Sequence, residues 1–220
     1  MAAPGKVDIT CANCNTQSEH SARVQASEEH SHSAPDLDLR PAPERRHVMN
    51  TAIRECPTCK LICPELASPP SGAKEALANP EYLALVADKK VPDHVRKFRA
   101  WAFIAEKSGL VADAGFAHLH AAWVADDAKN KGLADVQRHM AVVRLSAARD
   151  QGKVYPRQKG GAEALLSDIH RRTGNWDEAV HEAERGKSIT DQDFVAALCD
   201  LEISLANKHD ADVHTTEEVR

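Results

Sequence analysis

From Gly72 onward, apolar residues recur at three- and four-residue spacing. The pattern predicts helices near 73–88, 92–108, 111–129, 132–150, 160–173, 176–187 and 191–207. The punctuation agrees with it. Pro92 stands early in its helix beside Asp93. Gly109, Gly132 and Gly174 lie between helices, where a left-handed residue ends a helix at low cost. KVYPRQKGG, Lys153 to Gly161, is a longer connection. Short helices of similar length joined by tight turns imply antiparallel helix hairpins.

The first 70 residues follow no such period. Pro35, Pro41, Pro43, Pro57 and Pro64 break them up, and SPPSG at Ser68–Gly72 closes them. Ser18 to Asp36 reads as a polar hairpin or a disordered loop, with a weak strand at Arg23–Gln25. Leu37 and Leu39 alternate with Asp36, Asp38 and Arg40, a second weak strand signal. A segment this polar cannot fold by core packing alone, so a metal is the obvious staple. The expected organisation is a zinc-binding module over 1–70 with a polar insert, then a helical domain over 71–220.

A repeat test sharpens the helical half. In RTGNWDEAVHEAERGKSIT, Gly174 and Trp176 precede Ala179 and Ala183. This resembles the tetratricopeptide repeat, in which small residues let two helices approach after a Gly-x-aromatic turn. Leu165, Leu166 and Ile169 supply the first helix of the pair. A fainter copy has Phe98, Trp101 and Ala105 before Gly109, then Ala114 and Ala121 after it. The expected fold class is therefore mainly α: tetratricopeptide-like helix hairpins with a small N-terminal zinc ribbon-like module. Trp101, Trp123 and Trp176 read as packing residues.

Composition narrows the function classes. Aromatic residues make up only 4% of the chain, which suits closely packed Ala/Leu/Val helices. The net charge of −5 gives no general pull toward nucleic acid or anionic membrane. No apolar run approaches the ~20 residues that span a bilayer. MAAPGKVDIT lacks the apolar stretch of a signal peptide. A cytoplasmic location is expected, where thiols stay reduced and CxxC pairs read as metal or redox sites.

Residues 1–70 hold five of the six cysteines. Cys11-Ala-Asn-Cys14 and Cys56-Pro-Thr-Cys59 form two CxxC pairs, and each CxxC turn lets two thiolates reach one ion. The ligand set is Cys11, Cys14, Cys56 and Cys59, holding one structural Zn²⁺ per chain. Rubredoxin-like iron uses the same two loops, but such sites are usually ringed by aromatics, which this segment lacks. A thioredoxin-type pair needs a βαβ context. Asn15 after the first pair tolerates positive φ, and Lys60 after the second tolerates it less well. Cys63 lies four residues past Cys59, on what would be one helical turn, either as a packed thiol or as a replacement ligand. His20, His30, His32 and His47 are a reserve of ligands. Cys199 reads as a helix-core thiol.

DLDLRPAPERRHVMNTAIRECPTCKLICPEL, with the leading CANC and the later HLHAAWVADDA and RTGNWDEA, resembles an uncharacterised prokaryotic family. Its members join a double-CxxC segment and a DLDLRP-type linker to tetratricopeptide-like helices. The resemblance covers most of the chain and implies a fold and a metal without an activity. The family pattern carries Gly-Tyr after the second pair, where this chain has Lys60-Leu61.

No Ser-His-Asp, Walker or dinucleotide pattern appears. Four cysteine ligands close the coordination sphere, the mark of a structural site. His118 and His120 are i, i+2 on a helix and face different ways. The expected function is a non-enzymatic zinc-binding adaptor presenting a helical-repeat surface to a protein or peptide partner. The alternatives are a zinc-ribbon nucleic-acid module, which the balanced charge of residues 1–70 counts against, and a redox- or metal-responsive regulator.

Overall fold

The computed structural model describes residues 5–23, 33–153 and 156–219. Two antiparallel hairpins precede the helices. Strand β1 (Lys6–Thr10) pairs with β2 (Gln17–Ser21), placing Lys6 opposite Ser21 and Thr10 opposite Gln17. Strand β3 (Arg54–Glu55) pairs with β4 (Ile62–Cys63). Each hairpin loop contains one CxxC pair. A 3-10 helix, Pro43–Thr51, lies between them in sequence.

Among the described residues eight α-helices follow: α1 (Ala73–Leu77), α2 (Pro80–Ala87), α3 (Asp93–Lys107), α4 (Val111–Asp127), α5 (Lys131–Asp150), α6 (Gly161–Arg172), α7 (Trp176–Ile189) and α8 (Asp193–Asn207). The expected helix over 73–88 is thus two. Pro80 has no N–H to continue the first and opens the second, capped by Asn79, whose Oδ1 accepts from Glu81 N at 2.8 Å. The other six helices match the predicted ones within three residues.

One turn ends five of these helices. Leu110 N reaches back to Ala105 O at 2.9 Å while Gly109 N reaches Glu106 O at 3.0 Å. The same pair of bonds closes α4, α5, α6 and α8, with Lys129, Gly152, Gly174 and His209 in the left-handed position. Gly132, expected to end a helix, is instead the second residue of α5. The left-handed residue is Lys129, with φ 55°, and Asn130 Oδ1 accepts from Leu133 N at 3.1 Å.

By compactness the chain forms two units: the described parts of 1–28 with 47–134, and of 29–46 with 135–220. The expected division at residue 70 follows sequence grammar; spatial grouping joins residues otherwise. In the first unit α1, α2 and β4 pack on α3, and α3 packs on α4. Leu61, Ile62, Leu66, Tyr82, Phe98, Ile104 and Leu119 are fully buried there.

In the second unit α6, α7 and α8 pack mutually. They approach closely at Gly186, where an added Cβ would lie 2.9 Å from Glu163 Cβ and 3.0 Å from Cys199 Sγ. Cys199 is a buried core thiol, as expected, among Ala164, Ala183 and Val195. Arg171 is fully buried on α6. Its guanidinium donates to Glu202 at 2.8 Å and Asp168 at 2.5 Å, and to the carbonyls of Asp210 and Asp212 at 2.7 and 2.9 Å.

The Leu37/Leu39 segment is not the strand its alternation suggested. Only Asp36 makes a bridge, to Thr215, and the chain then turns. Leu39 N bonds Asp36 O at 3.0 Å, and Leu39 sits at φ 69°. Arg46 clamps Asp36 through both carboxylate oxygens, at 2.9 and 2.8 Å. Period-2 alternation over so few residues yields to these local bonds. The weak strand expected at Arg23–Gln25 is absent at Arg23, which follows β2; Val24 and Gln25 lie outside the described residues.

Candidate metal centre

The two CxxC loops are copies of one hydrogen-bonded loop. In the first, Cys11 N donates to Thr16 O at 2.9 Å and Asn15 N to Cys11 O at 2.8 Å. In the second, Cys56 N donates to Leu61 O at 2.8 Å and Lys60 N to Cys56 O at 3.1 Å. The fourth residue after each leading cysteine must turn through positive φ: Asn15 stands at 57° and Lys60 at 62°. The position that commonly carries glycine therefore keeps its conformation at Lys60 without one.

The backbone amides of each loop aim at sulfur. Cys11 Sγ accepts from the N–H groups of Asn13 and Cys14, and Cys56 Sγ from those of Thr58 and Cys59. Cys14 Sγ accepts from Thr16 N and Cys59 Sγ from Leu61 N. Six N–H dipoles thus converge on four sulfurs, the arrangement that stabilises thiolates around a cation. Thr16, two residues past Cys14, and Thr58, between Cys56 and Cys59, share a hydroxyl hydrogen bond of 3.1 Å.

The loops meet face to face. Cys11 Sγ lies 3.7 Å from Cys59 Sγ, and Cys14 Sγ 3.6 Å from Cys56 Sγ. All four ligand atoms lie within 4.8 Å of one another. A tetrahedral ion with metal–sulfur bonds of about 2.3 Å needs sulfurs about 3.8 Å apart. The four cysteines fit such an ion. Cys11 and Cys56 are buried, and Cys14 and Cys59 half-buried. Burial pushes the thiols of Cys11, Cys56 and Cys59 up, whereas hydrogen bonds from Thr16 bring Cys14 down to about 6.

The remaining candidates fall away from this cluster. Cys63 is on β4, not on a helical turn, and is fully buried; burial raises its thiol to about 12. Among the described residues no histidine joins the sulfurs. His20 bonds Ser18 Oγ at 2.8 Å on β2, His47 lies in the 3-10 helix, and His30 and His32 lie outside the described residues. His118 is buried in α4. His120 packs among aromatic rings, 4.8 Å from Trp123 and 5.3 Å from Phe98 between centroids.

Sequence reasoning missed what ties the second loop to the helices. Tyr82, fully buried on α2, donates its hydroxyl to Lys60 O at 2.8 Å and accepts from Ile62 N at 3.0 Å. Glu55, one residue before Cys56, pairs with Arg96 of α3 at 2.5 Å. A lone Tyr in an apolar run gives no sign of such a bond.

No protein-family model, curated protein or solved structure matches the chain. The structure has a four-cysteine cluster and a mainly helical fold. No helix among the described residues is long and apolar enough to cross a membrane.

Proposed function

We propose that the chain is a non-enzymatic zinc-binding adaptor of the cytoplasm, in which a zinc ribbon-like pair of loops braces tetratricopeptide-like helix hairpins that bind a protein or peptide. The observation that carries this reading is the four-cysteine cluster, with its sulfur spacings near the tetrahedral value. Cys11, Cys14, Cys56 and Cys59 would hold the ion. A divalent ion bound there supplies charge that keeps the four thiols deprotonated. Four protein ligands leave no position for water or substrate, so the site braces the fold and does no chemistry. Residues 1–70 hold no Phe, Trp or Tyr, and Tyr82 of α2 meets the second loop through its hydroxyl, so zinc rather than iron is the ion proposed, and elemental analysis tests it.

The partner-binding half draws on an open groove of about 640 Å³ in the first unit, whose lining combines Ala84, Leu85 and Phe103 with charges of both signs. An extended peptide is the occupant that such a mixed apolar and charged lining suits. The buried, up-shifted Cys63 is a poor oxidant sensor, which counts against the redox alternative. The zinc-loaded chain should retain a protein from cell extract, and Leu85→Glu should release it. Retention of DNA or RNA instead, measured by fluorescence anisotropy, would favour the nucleic-acid module.

A further inference from the structure

Beside the first hairpin lies a polar cavity of about 250 Å³. Its walls include Lys6 of β1, His20 of β2, Arg54 of β3 and Lys97 of α3. Two carboxylates, Glu19 and Glu55, share the lining. Lys6 pairs with Glu19 at 3.1 Å, and Lys97 with Asp93 at 2.6 Å. Glu55 is held by Arg96 at 2.5 Å and Lys60 at 3.5 Å, and Glu65 by Arg54 at 3.5 Å and Arg23 at 3.7 Å. The lining itself carries three cations, Lys6, Arg54 and Lys97, against two carboxylates, and each of the three cations has a carboxylate partner. With His20 neutral the lining is positive by one charge, in a chain whose net charge is −5.

The cations are also placed, not merely present. Arg54 has 8% of its side chain exposed and donates through Nη1 to Pro64 O at 2.9 Å, while its buried Nε–H has no hydrogen-bond partner. A fixed guanidinium in a polar cavity is suited to oxyanions. The volume falls below the ~300–1,000 Å³ of sites for drug-sized ligands, which selects a phosphate-sized group with a small substituent over a nucleotide.

We infer that this cavity binds the phosphate group of a free phosphate ion or a small phosphate monoester, through Lys6, Arg54 and Lys97. The site is assembled by the cysteine loops. Lys6 and His20 stand on the strands that the first loop joins, and Arg54 stands two residues before Cys56. Phosphate binding itself is independent of the proposed adaptor role; its dependence on metal rests on the four-thiolate reading.

The test is titration of the full chain, its zinc content measured alongside, with inorganic phosphate and with O-phosphoserine. Saturable binding at millimolar concentration or below, weakened by added chloride, is expected. The double variant Lys6→Met, Lys97→Met should bind at least about tenfold more weakly, with unchanged circular dichroism and zinc content. In wild-type protein, amide resonances of Ser21, Arg54 and Lys97 should move on phosphate addition, which keeps the test valid if the variant misfolds. Absence of saturable binding, an unchanged affinity in the folded variant, or shifts confined to other residues would overturn the site. Preference for O-phosphoserine marks a phosphorylated side chain as the source and preference for phosphate marks the free ion; both support the shared chemistry. Binding that survives removal of measured zinc overturns the metal dependence.

Discussion

Asn15 and Lys60 occupy the same left-handed position in two copies of one loop, at φ 57° and 62°, each four residues after the first cysteine of its pair. An L-residue there costs roughly 1–2 kcal/mol, less for Asn than for Lys. Lys60→Gly should therefore raise the stability of the first unit by about 1 kcal/mol, its 3.5 Å ion pair with Glu55 being half-exposed and weak. Lys60→Val should lower it by a similar amount, because a β-branched side chain fits that region worst. Thermal unfolding of the two variants in zinc-containing buffer checks the order Gly, Lys, Val; the reverse order would remove the argument for a strained knuckle.

Tyr82 ties that loop to α2 with one hydroxyl. Tyr82→Phe keeps the ring in its buried place but leaves Lys60 O and Ile62 N without that partner. The cost should be about 1–3 kcal/mol. Chelator-driven zinc release should also quicken, since the second loop loses its tether. A variant as stable as wild type, releasing metal at the same rate, would show that water replaces the hydroxyl.

Arg171 organises the second unit. Arg171→Met would strand Asp168 and Glu202, buried at 1% exposure each, without a cation, and would free the carbonyls of Asp210 and Asp212. Removing one partner of a buried pair costs about 3–5 kcal/mol. Denaturant unfolding followed by circular dichroism should show this loss. A change under about 1 kcal/mol would mean that Glu202, whose pKa burial already raises, takes up a proton at little cost.

His120 makes stability depend on pH. Burial among Phe98, Phe116 and Trp123 lowers its pKa from 6.5 to about 4. The unfolded chain then binds a proton that the folded chain refuses between these values. Stability is therefore lost as pH falls from 6.5 toward 4, by at most about 3 kcal/mol from this residue. His120→Phe should flatten the decline over that window. Parallel curves for wild type and variant between pH 6.5 and 5 would show that the ring protonates freely in the fold.

How much of this was legible in the sequence follows from the range of each interaction. Helices α3 to α8 stand close to where apolar periodicity put them, because period and capping are local properties. Gly109 and Gly174 announced their turns, but Lys129 and His209 make the same turn and carry no signal, since the bonds of the turn, not the residue type, hold them left-handed. The four cysteines were legible because two short motifs sufficed. The hairpin around Cys11–Cys14 was not: Lys6–Thr10 and Gln17–Ser21 are largely polar, and what holds them is the closure of the loop between them. Asp36 with Thr215, Tyr82 with Lys60, and Arg171 with Glu202 join residues far apart in sequence, and no spacing rule reaches them.

The cluster of Cys11, Cys14, Cys56 and Cys59 is tested most directly by elemental analysis of the anaerobically purified chain, with Cys11→Ser and Cys56→Ser alongside. One zinc per chain, about four thiolate ligands' worth of ultraviolet charge-transfer absorption on cobalt substitution, and loss of metal in both variants are the expected results. Iron in the wild-type chain, or no metal at all, would contradict the account.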